Sequence, residues 1–373
     1  MIYRHSPRQV RFWPPFATVH IAKGRQPPYD YSMQETSLPA IKKILLVRLD
    51  RIGDLVLSLP IDESLSRLGY ETHWWISQGL SFVPANAKPI RETFQVKKKV
   101  NLKEFTELYH KVKTAHFSNV VVFHAPWWLA LLLYLARIPV RVGPKSQWYS
   151  FLFYNRGIRQ KRSESIKSEL EYNFSLVEEG LGFANQEIGR QSLRLQSNKT
   201  FDLKKWNLEH QKYFVIHPGM SGSALNWPTR NYIDLIDHAV RFQKIVITGT
   251  KTDEDFLSEI RSQFVNHPRV TFLDSKLNGD ELISVLQNAA GVLAPSTGVL
   301  HIAASTGVPT FGIYSPVKVQ RPERWGPQGA HTLVFVPEVL CPGEFECLGR
   351  ACPKFNCMQL IRVDDVLKAA FLN

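Results

Sequence analysis

The stretch IKKILLVRLDRIGDLVLSLP, residues 41–60, decides the fold. Its first part, Ile41 to Leu49, is a short apolar run with the signature of a buried strand, and Ile52-Gly53-Asp54 turns the chain into an amphipathic stretch from Leu55 to Leu68. Strand, tight turn and helix open an α/β unit. The same alternation continues outward through ETHWWIS, LKEFTELYHKVK, NVVVFH, WWLALLLYLAR and the short VRVG, which predicts a parallel sheet with crossover helices. A polar segment around RQSLRLQSNKTFDLKK reads as an interdomain linker. A second series follows: YFVIHPG, NYIDLIDHAVRF, KIVITG, DEDFLSEIRSQF, VTFLD, DELISVLQNAA, GVLAP and VLHIAAS, with PTFGIYSP as its final strand.

The expected fold class is therefore α/β, with two Rossmann-like domains facing across a cleft and the site at the carboxyl ends of their strands. Its divisions are an N-terminal extension over 1–40, an acceptor-side domain over 41–190, a linker over 191–212, a second domain over 213–340, and a cysteine-containing tail over 341–373. The extension is assigned from Pro7, Pro14, Pro15, Pro27, Pro28 and Pro39, which interrupt any sustained period. A chain of 373 residues with 44% hydrophobic content and mean hydropathy −0.18 excludes collagen, low-complexity disorder and disulfide-stapled miniproteins.

Charge narrows the partners. The balance is 46 Lys+Arg against 33 Asp+Glu, or +13. Residues 91–167 hold 15 Lys+Arg and 4 Asp+Glu, a difference of +11, so most of the excess sits in the first domain. Anionic company is expected, and without a helix-turn-helix, RNP or zinc-finger pattern nucleic acid is not the favoured form of it. The longest apolar run, Ala125 to Ala136, is shorter than the roughly 20 residues that span a bilayer. A cytoplasmic protein is expected.

Three loops at strand-to-helix junctions carry the chemistry. In the first, Asp54 either caps a helix or presents a carboxylate at the strand tip. The second, VIHPGMSGSALNWP (residues 215–228), offers Ser221, Gly222 and Ser223 as a phosphate cradle. The third, LAPSTGVLHIAASTGVP (residues 293–309), places Ser296, Thr297 and Gly298 at a helix N-terminus, with His301 one turn in.

These loops, with KIVITGTKTDEDF and with RWGP at Arg324–Pro327, resemble in order the signatures of glycosyltransferase family 9, the heptosyltransferases of lipopolysaccharide inner-core assembly. The resemblance runs from about Ile41 to the C-terminus. It implies a two-lobed GT-B fold and an inverting transfer that needs neither metal nor cofactor. The donor would be the nucleotide sugar ADP-heptose, and the acceptor a lipid A core or other phosphorylated glycolipid at the inner membrane surface. It makes Asp54 the general base. Ser221, Gly222, Ser223, Thr248, Gly249, Asp253 or Glu254, Ser296, Thr297, Gly298 and His301 become donor-binding. Lys97, Lys98, Lys99, Arg159 and Arg162 fall on the acceptor side, with Trp74, Trp75, Trp127, Trp128 and Trp148 offered to a membrane interface.

Two of the loops depart from the family pattern. Leu225 and Asn226 stand where a phosphate-binding lysine precedes Trp-Pro, leaving Arg230, Lys251 or Lys318 to supply a cation, and Ser296 replaces an acid for sugar hydroxyls. The rival readings are a transferase or epimerase using another nucleotide sugar, and a catalytically silent saccharide-binding protein of the same fold. Cys341, Cys347, Cys352 and Cys357 lack the close CxxC pairs usual in zinc sites, which leaves metal or redox chemistry open without favouring it, and the resemblance, which extends to a C-terminal cysteine pattern ending in Cys357-Met358, implies a structural loop.

Overall fold

A computed structural model describes residues 42–183, 189–197, 202–220, 222 and 224–372. The extension over 1–40, Ser221 and Ser223 lie outside the described residues.

Two six-stranded parallel sheets carry the chain. The first contains β1 (Lys42–Arg48), β2 (Tyr70–Ser77), β3 (Thr93–Val96), β4 (Asn119–His124), β5 (Val140–Pro144) and β6 (Arg156–Ile158), in the order β3-β2-β1-β4-β5-β6. The second contains β7 (Tyr213–Ile216), β8 (Lys244–Ile247), β9 (Val270–Phe272), β10 (Gly291–Pro295), β11 (Thr310–Ile313) and β12 (Thr332–Phe335), in the order β12-β11-β10-β7-β8-β9. Each sheet thus runs 3-2-1-4-5-6 in its own count, with its topological switch between first and fourth strands. That rule puts the ligand crevice beyond the carboxyl ends of β1 and β4 in one lobe and of β7 and β10 in the other.

Burial explains which strands the sequence announces. β1 and β4 lie mid-sheet, and their runs ILLV and VVVF are fully covered by helices on both faces, so they read as continuous apolar blocks. β3, β6 and β12 are edge strands of three or four residues, largely half-buried or exposed, and carry no such block. PTFGIYSP is accordingly not the last strand: β12 follows β11 and pairs with it from Thr310↔Thr332 to Ile313↔Phe335.

The stretch after Asp54 is two short helices, Ile52–Val56 and Ile61–Arg67, because Pro60 cannot continue the first and instead caps the second. Glu169–Leu181 is a helix that apolar periodicity did not reveal. Ten of its residues are buried, Glu169, Asn173, Ser175 and Glu178 among them, so polar side chains occupy core positions and blur the pattern. Ser168 and Glu171 close a capping box at its start.

The lobes share one continuous apolar cluster, which includes Leu46 and Phe174 from the first and Val215 and Ile302 from the second. The polar connection passes between them. Lys88 N–H donates to Arg194 O (2.9 Å) and Leu195 N–H to Ser305 O (2.8 Å), tying the segment to both sides. The C-terminal helix Val363–Phe371 packs on the core of the second sheet, Phe371 lying 4.4 Å from Phe214 between ring centroids. No described helix is long and apolar enough to cross a membrane. Trp74 and Trp75 are core residues, 2% and 3% exposed, because β2 points them into the two helix layers; they face no membrane.

Candidate active site

The two switch points meet at one cavity of about 350 Å³. Arg51, Gly53 and Asp54 line it from the first lobe and Ser296, Thr297, Gly298, His301, Arg324 and Trp325 from the second. The helices Ile52–Val56 and Gly298–Thr306 touch there through glycines. A Cβ on Gly53 would stand 2.8 Å from His301 Cδ2, and one on Gly298 would stand 2.8 Å from Ile52 Cβ. Only hydrogen at both positions lets the two helix starts come this close.

Asp54 sits in the first turn of its helix, and Arg48 Nη2 donates to its Oδ1. Its Oδ2 has no hydrogen bond among the described residues. Arg48 is the hub. Its Nε donates to Asp50 Oδ1 (2.8 Å) and its Nη1 to Asn173 Oδ1 (3.3 Å), while Glu169 lies 3.6 Å from Nη2. Burial disfavours the Arg48 charge, but Asp50, Asp54 and Glu169 outweigh it and hold the guanidinium protonated. Glu169 is itself shared: it pairs with Arg162 and accepts from Arg324 of the second lobe at 3.3 Å. Three guanidiniums (Arg48, Arg162, Arg324) and three carboxyl groups (Asp50, Asp54, Glu169) make one ionic cluster, of which Asp54 and Arg324 line the cavity. Asp50 is held above the usual carboxylate range by burial first, against the pull of Arg48.

Opposite Asp54, the Gly298–Thr306 helix begins with no side chain capping its free N–H groups. Thr297 Oγ1 and His301 Nδ1 are buried without a hydrogen-bond partner among the described residues. Free N–H groups, a hydroxyl and an imidazole at the positive end of a nine-residue helix are groups that can hold an anion. Burial pushes the His301 pKa down to about 4, against a weaker upward pull from Asp54. His301 is thus neutral near pH 7. A base whose folded pKa is depressed loses stability as pH falls from its unfolded value, about 6.5, toward 4. His301→Gln, neutral throughout, is expected to flatten this part of the pH dependence, measured by urea denaturation at pH 7 and pH 4.5, by about 2 kcal/mol.

The other sequence candidates stand apart from the cavity lining. Thr248 is buried and shares a 3.1 Å hydrogen bond with His217 Nδ1. Asp253 Oδ2 accepts from Thr250 N–H (2.8 Å) and the side chain packs beneath Gly219, where a Cβ would fall 2.1 Å from its Cγ; its Oδ1 is buried with no partner among the described residues. Glu254 is exposed and pairs with Arg261 at 2.7 Å. Gly249, at the end of β8, and Gly222, in the second loop, are not part of the lining. Leu225 packs on the apolar core of the second lobe, and Asn226 holds the loop by accepting from Trp227 N–H (2.8 Å) and Tyr232 Oη (2.9 Å).

Of the cations offered in place of the missing lysine, Arg230 pairs with Asp234 (3.0 Å) and Lys318 lies 3.8 Å from Glu344 on the surface, while Lys251 is exposed. The cations that line the cavity are Arg51, whose side chain has no partner among the described residues, and Arg324. Lys97 pairs with Glu104 (2.6 Å); Lys98, Lys99 and Arg159 are exposed; Arg162 is committed to Glu169. Sequence reasoning passed over Arg48, Arg51 and Glu169. The Ser168-x-x-Glu171 capping box was the available signal for the last, since it fixes where that helix starts. Four free thiols, Cys341, Cys347, Cys352 and Cys357, line a separate cavity of about 220 Å³ beside Leu225.

The model of glycosyltransferase family 9 (heptosyltransferase) matches residues 105–346. The chain belongs to that family. This makes it a heptosyltransferase-like glycosyltransferase of GT-B fold. A Haemophilus influenzae protein that carries a glycosyltransferase name is 26% identical over 311 residues, 77% of this chain and 86% of its own length. The lipopolysaccharide core heptosyltransferase OpsX of the same organism is 21% identical over 297 residues, 74% and 80% of the two chains. Among solved structures, E. coli ADP-heptose lps heptosyltransferase II superposes with a TM-score of 0.71 at 17% identity, covering 88% of this chain and 97% of its own. At that identity the likeness speaks to the fold. The family's two-lobed fold accounts for a cavity lined from both lobes.

Proposed function

We propose that this family 9 member transfers heptose from ADP-heptose to a lipopolysaccharide inner-core acceptor, with inversion at the anomeric carbon and Asp54 as general base. One observation carries the reading: Asp54 faces the uncapped Gly298–Thr306 helix across a single cavity built by both lobes. The acceptor hydroxyl oxygen bonds to the anomeric carbon as the bond from that carbon to the β-phosphate oxygen breaks. ADP leaves with the electron pair, and the hydroxyl proton passes to Asp54 Oδ2. Positive charge on the leaving diphosphate comes from Arg51, Arg324 and the helix N–H groups around Ser296, Thr297 and Gly298, with neutral His301 as a further polar partner.

Adenosine is assigned to the loops after β7 and β8, where Gly222, Thr248, Gly249, Asp253 and Glu254 lie, with Ser221 and Ser223 in the same loop sequence. Lys98, Lys99 and Arg159 are exposed on the acceptor lobe, whose excess charge suits a phosphorylated glycolipid at the cytoplasmic face of the inner membrane. Arg162 supports the site through Glu169 instead.

Steady-state transfer from a panel of nucleotide sugars to a lipid A core acceptor tests the reading. Turnover of ADP-heptose supports it, turnover only of another donor moves the assignment to the sugar that Ser296 accepts, and binding with no turnover of any donor sinks it. ADP is expected to raise the melting temperature of the wild-type protein. Arg51→Ala is expected to weaken ADP binding about tenfold, as loss of a charged hydrogen bond does; unchanged ADP affinity would remove Arg51 from the diphosphate site.

A further inference from the structure

The helix Trp127–Leu135, WWLALLLYL, has no charged residue on any face. Leu129, Ala130, Leu132 and Leu133 bury against the first sheet, as a core-facing stripe should. Its outer face is apolar as well. Trp127, Tyr134 and Leu135 are 52%, 46% and 45% exposed, with half-buried Leu131 between them, at i, i+4, i+7 and i+8 spacing. A helix apolar all round belongs in a core or against a second apolar phase.

The neighbouring turn extends that face. Trp148, Phe151 and Leu152 are 63%, 56% and 63% exposed on and just before the short helix Ser150–Phe153. The two pieces are packed together: the Tyr134 and Phe153 rings lie 5.6 Å apart, and Tyr149 Oη donates to Ala125 O at 2.8 Å. The result is one exposed apolar ridge with six aromatic or long aliphatic crests, larger than scattered surface residues make.

Charge identifies what covers it. Residues 126–163 contain no Asp or Glu, and Arg137, Lys145, Arg156 and Arg159, which flank the ridge residues in sequence, are exposed. Lys145 Nζ sits 4.9 Å from the Phe151 ring centroid, so cation and aromatic crest are presented side by side. A second copy docking face to face would set these like charges against each other. An anionic bilayer takes both features at once, with tryptophan and phenylalanine at headgroup depth and lysine and arginine at the phosphates.

We infer that the Trp127–Leu135 and Trp148–Leu152 ridge is the surface by which this protein seats itself on an anionic lipid bilayer. The ridge starts three residues after His124, the carboxyl end of β4, so it flanks the acceptor side of the cleft. Seating there brings a membrane-held glycolipid headgroup toward Asp54. That purpose rests on the proposed lipid acceptor; the binding itself does not.

Flotation of the full chain with vesicles tests it. With phosphatidylethanolamine and phosphatidylglycerol vesicles the wild-type protein is expected to float, and with phosphatidylcholine alone to float far less. The triple variant Trp148→Ser, Phe151→Ser, Leu152→Ser is expected to lose about tenfold or more in partitioning. The double variant Lys145→Glu, Arg156→Glu is expected to lose the preference for anionic lipid. Unchanged circular dichroism and melting temperature confirm folding of each variant. Equal flotation of the wild type and a folded triple variant overturns the inference. So does a wild-type dimer in sedimentation that the triple variant breaks while neither protein floats. Flotation without turnover of any donor would leave the docking surface standing and remove the transferase reading; turnover without flotation would do the reverse.

Discussion

Asp54→Asn is expected to lower kcat by about 10³-fold, the scale of removing a general base, with little change in the donor KM. The substitution is chosen because the amide oxygen still accepts from Arg48 Nη2, so the geometry around the hub survives. What disappears is the oxygen that takes a proton. Arg48 also keeps Asp50 at 2.8 Å and Glu169 at 3.6 Å, and the folded state should therefore hold. Steady-state kinetics with a matched melting curve checks this. A folded Asp54→Asn protein retaining more than about a tenth of wild-type kcat would take the base away from Asp54.

Glu169→Gln is expected to be the most destabilising single change at the site, by about 3–5 kcal/mol, the range for breaking one partner out of a buried ionic cluster. Glu169 is 1% exposed and faces Arg48, Arg162 and Arg324 at once. Glutamine fills the same volume but leaves the guanidiniums with one carboxylate too few, around a position that is itself almost wholly buried. Urea denaturation at pH 7 measures the loss. Arg324 comes from the other lobe, so the variant should also loosen the contact across the cleft and weaken ADP binding. A loss below about 1 kcal/mol would mean that the arginines are solvated and the cluster adds little.

How much of this was legible follows from where each residue's partners lie. The run ILLVRLDRIGD gave β1, its turn and the carboxylate at its tip, because a buried parallel strand and the turn after it are encoded by neighbours in sequence. SerThrGly before VLHIAAS likewise marked the uncapped helix start. The edge strands β3, β6 and β12 escaped because pairing on one side demands no apolar block. The Glu169–Leu181 helix escaped because Glu169 and Asn173 are buried by polar partners, which hydrophobic periodicity cannot register.

The cations make the same point. Lys97, Lys98 and Lys99 are conspicuous as a run, yet Lys97 pairs locally with Glu104. Arg48, read as the end of a strand, is the residue that organises the site. Nothing in its own sequence neighbourhood announces Glu169 and Asn173, which lie more than 120 positions away.

The sequence by itself determined two α/β lobes, a carboxylate at the first strand tip, a helix start after Ser296-Thr297 in the second lobe and the lobe that bears the excess charge. Each is a matter of local spacing or of composition, and local interactions are written in contiguous residues. Tertiary structure alone decided that Gly53 and Gly298 bring those two helix starts together, that Arg51 and Arg324 line the cavity while Arg230 and Lys318 do not, and that Trp74 and Trp75 are core while Trp127 and Trp148 are surface. Those outcomes depend on which distant side chains meet after folding: burial, charge pairing and close backbone approach are properties of the packed chain, and the same residue type serves either role according to what it packs against.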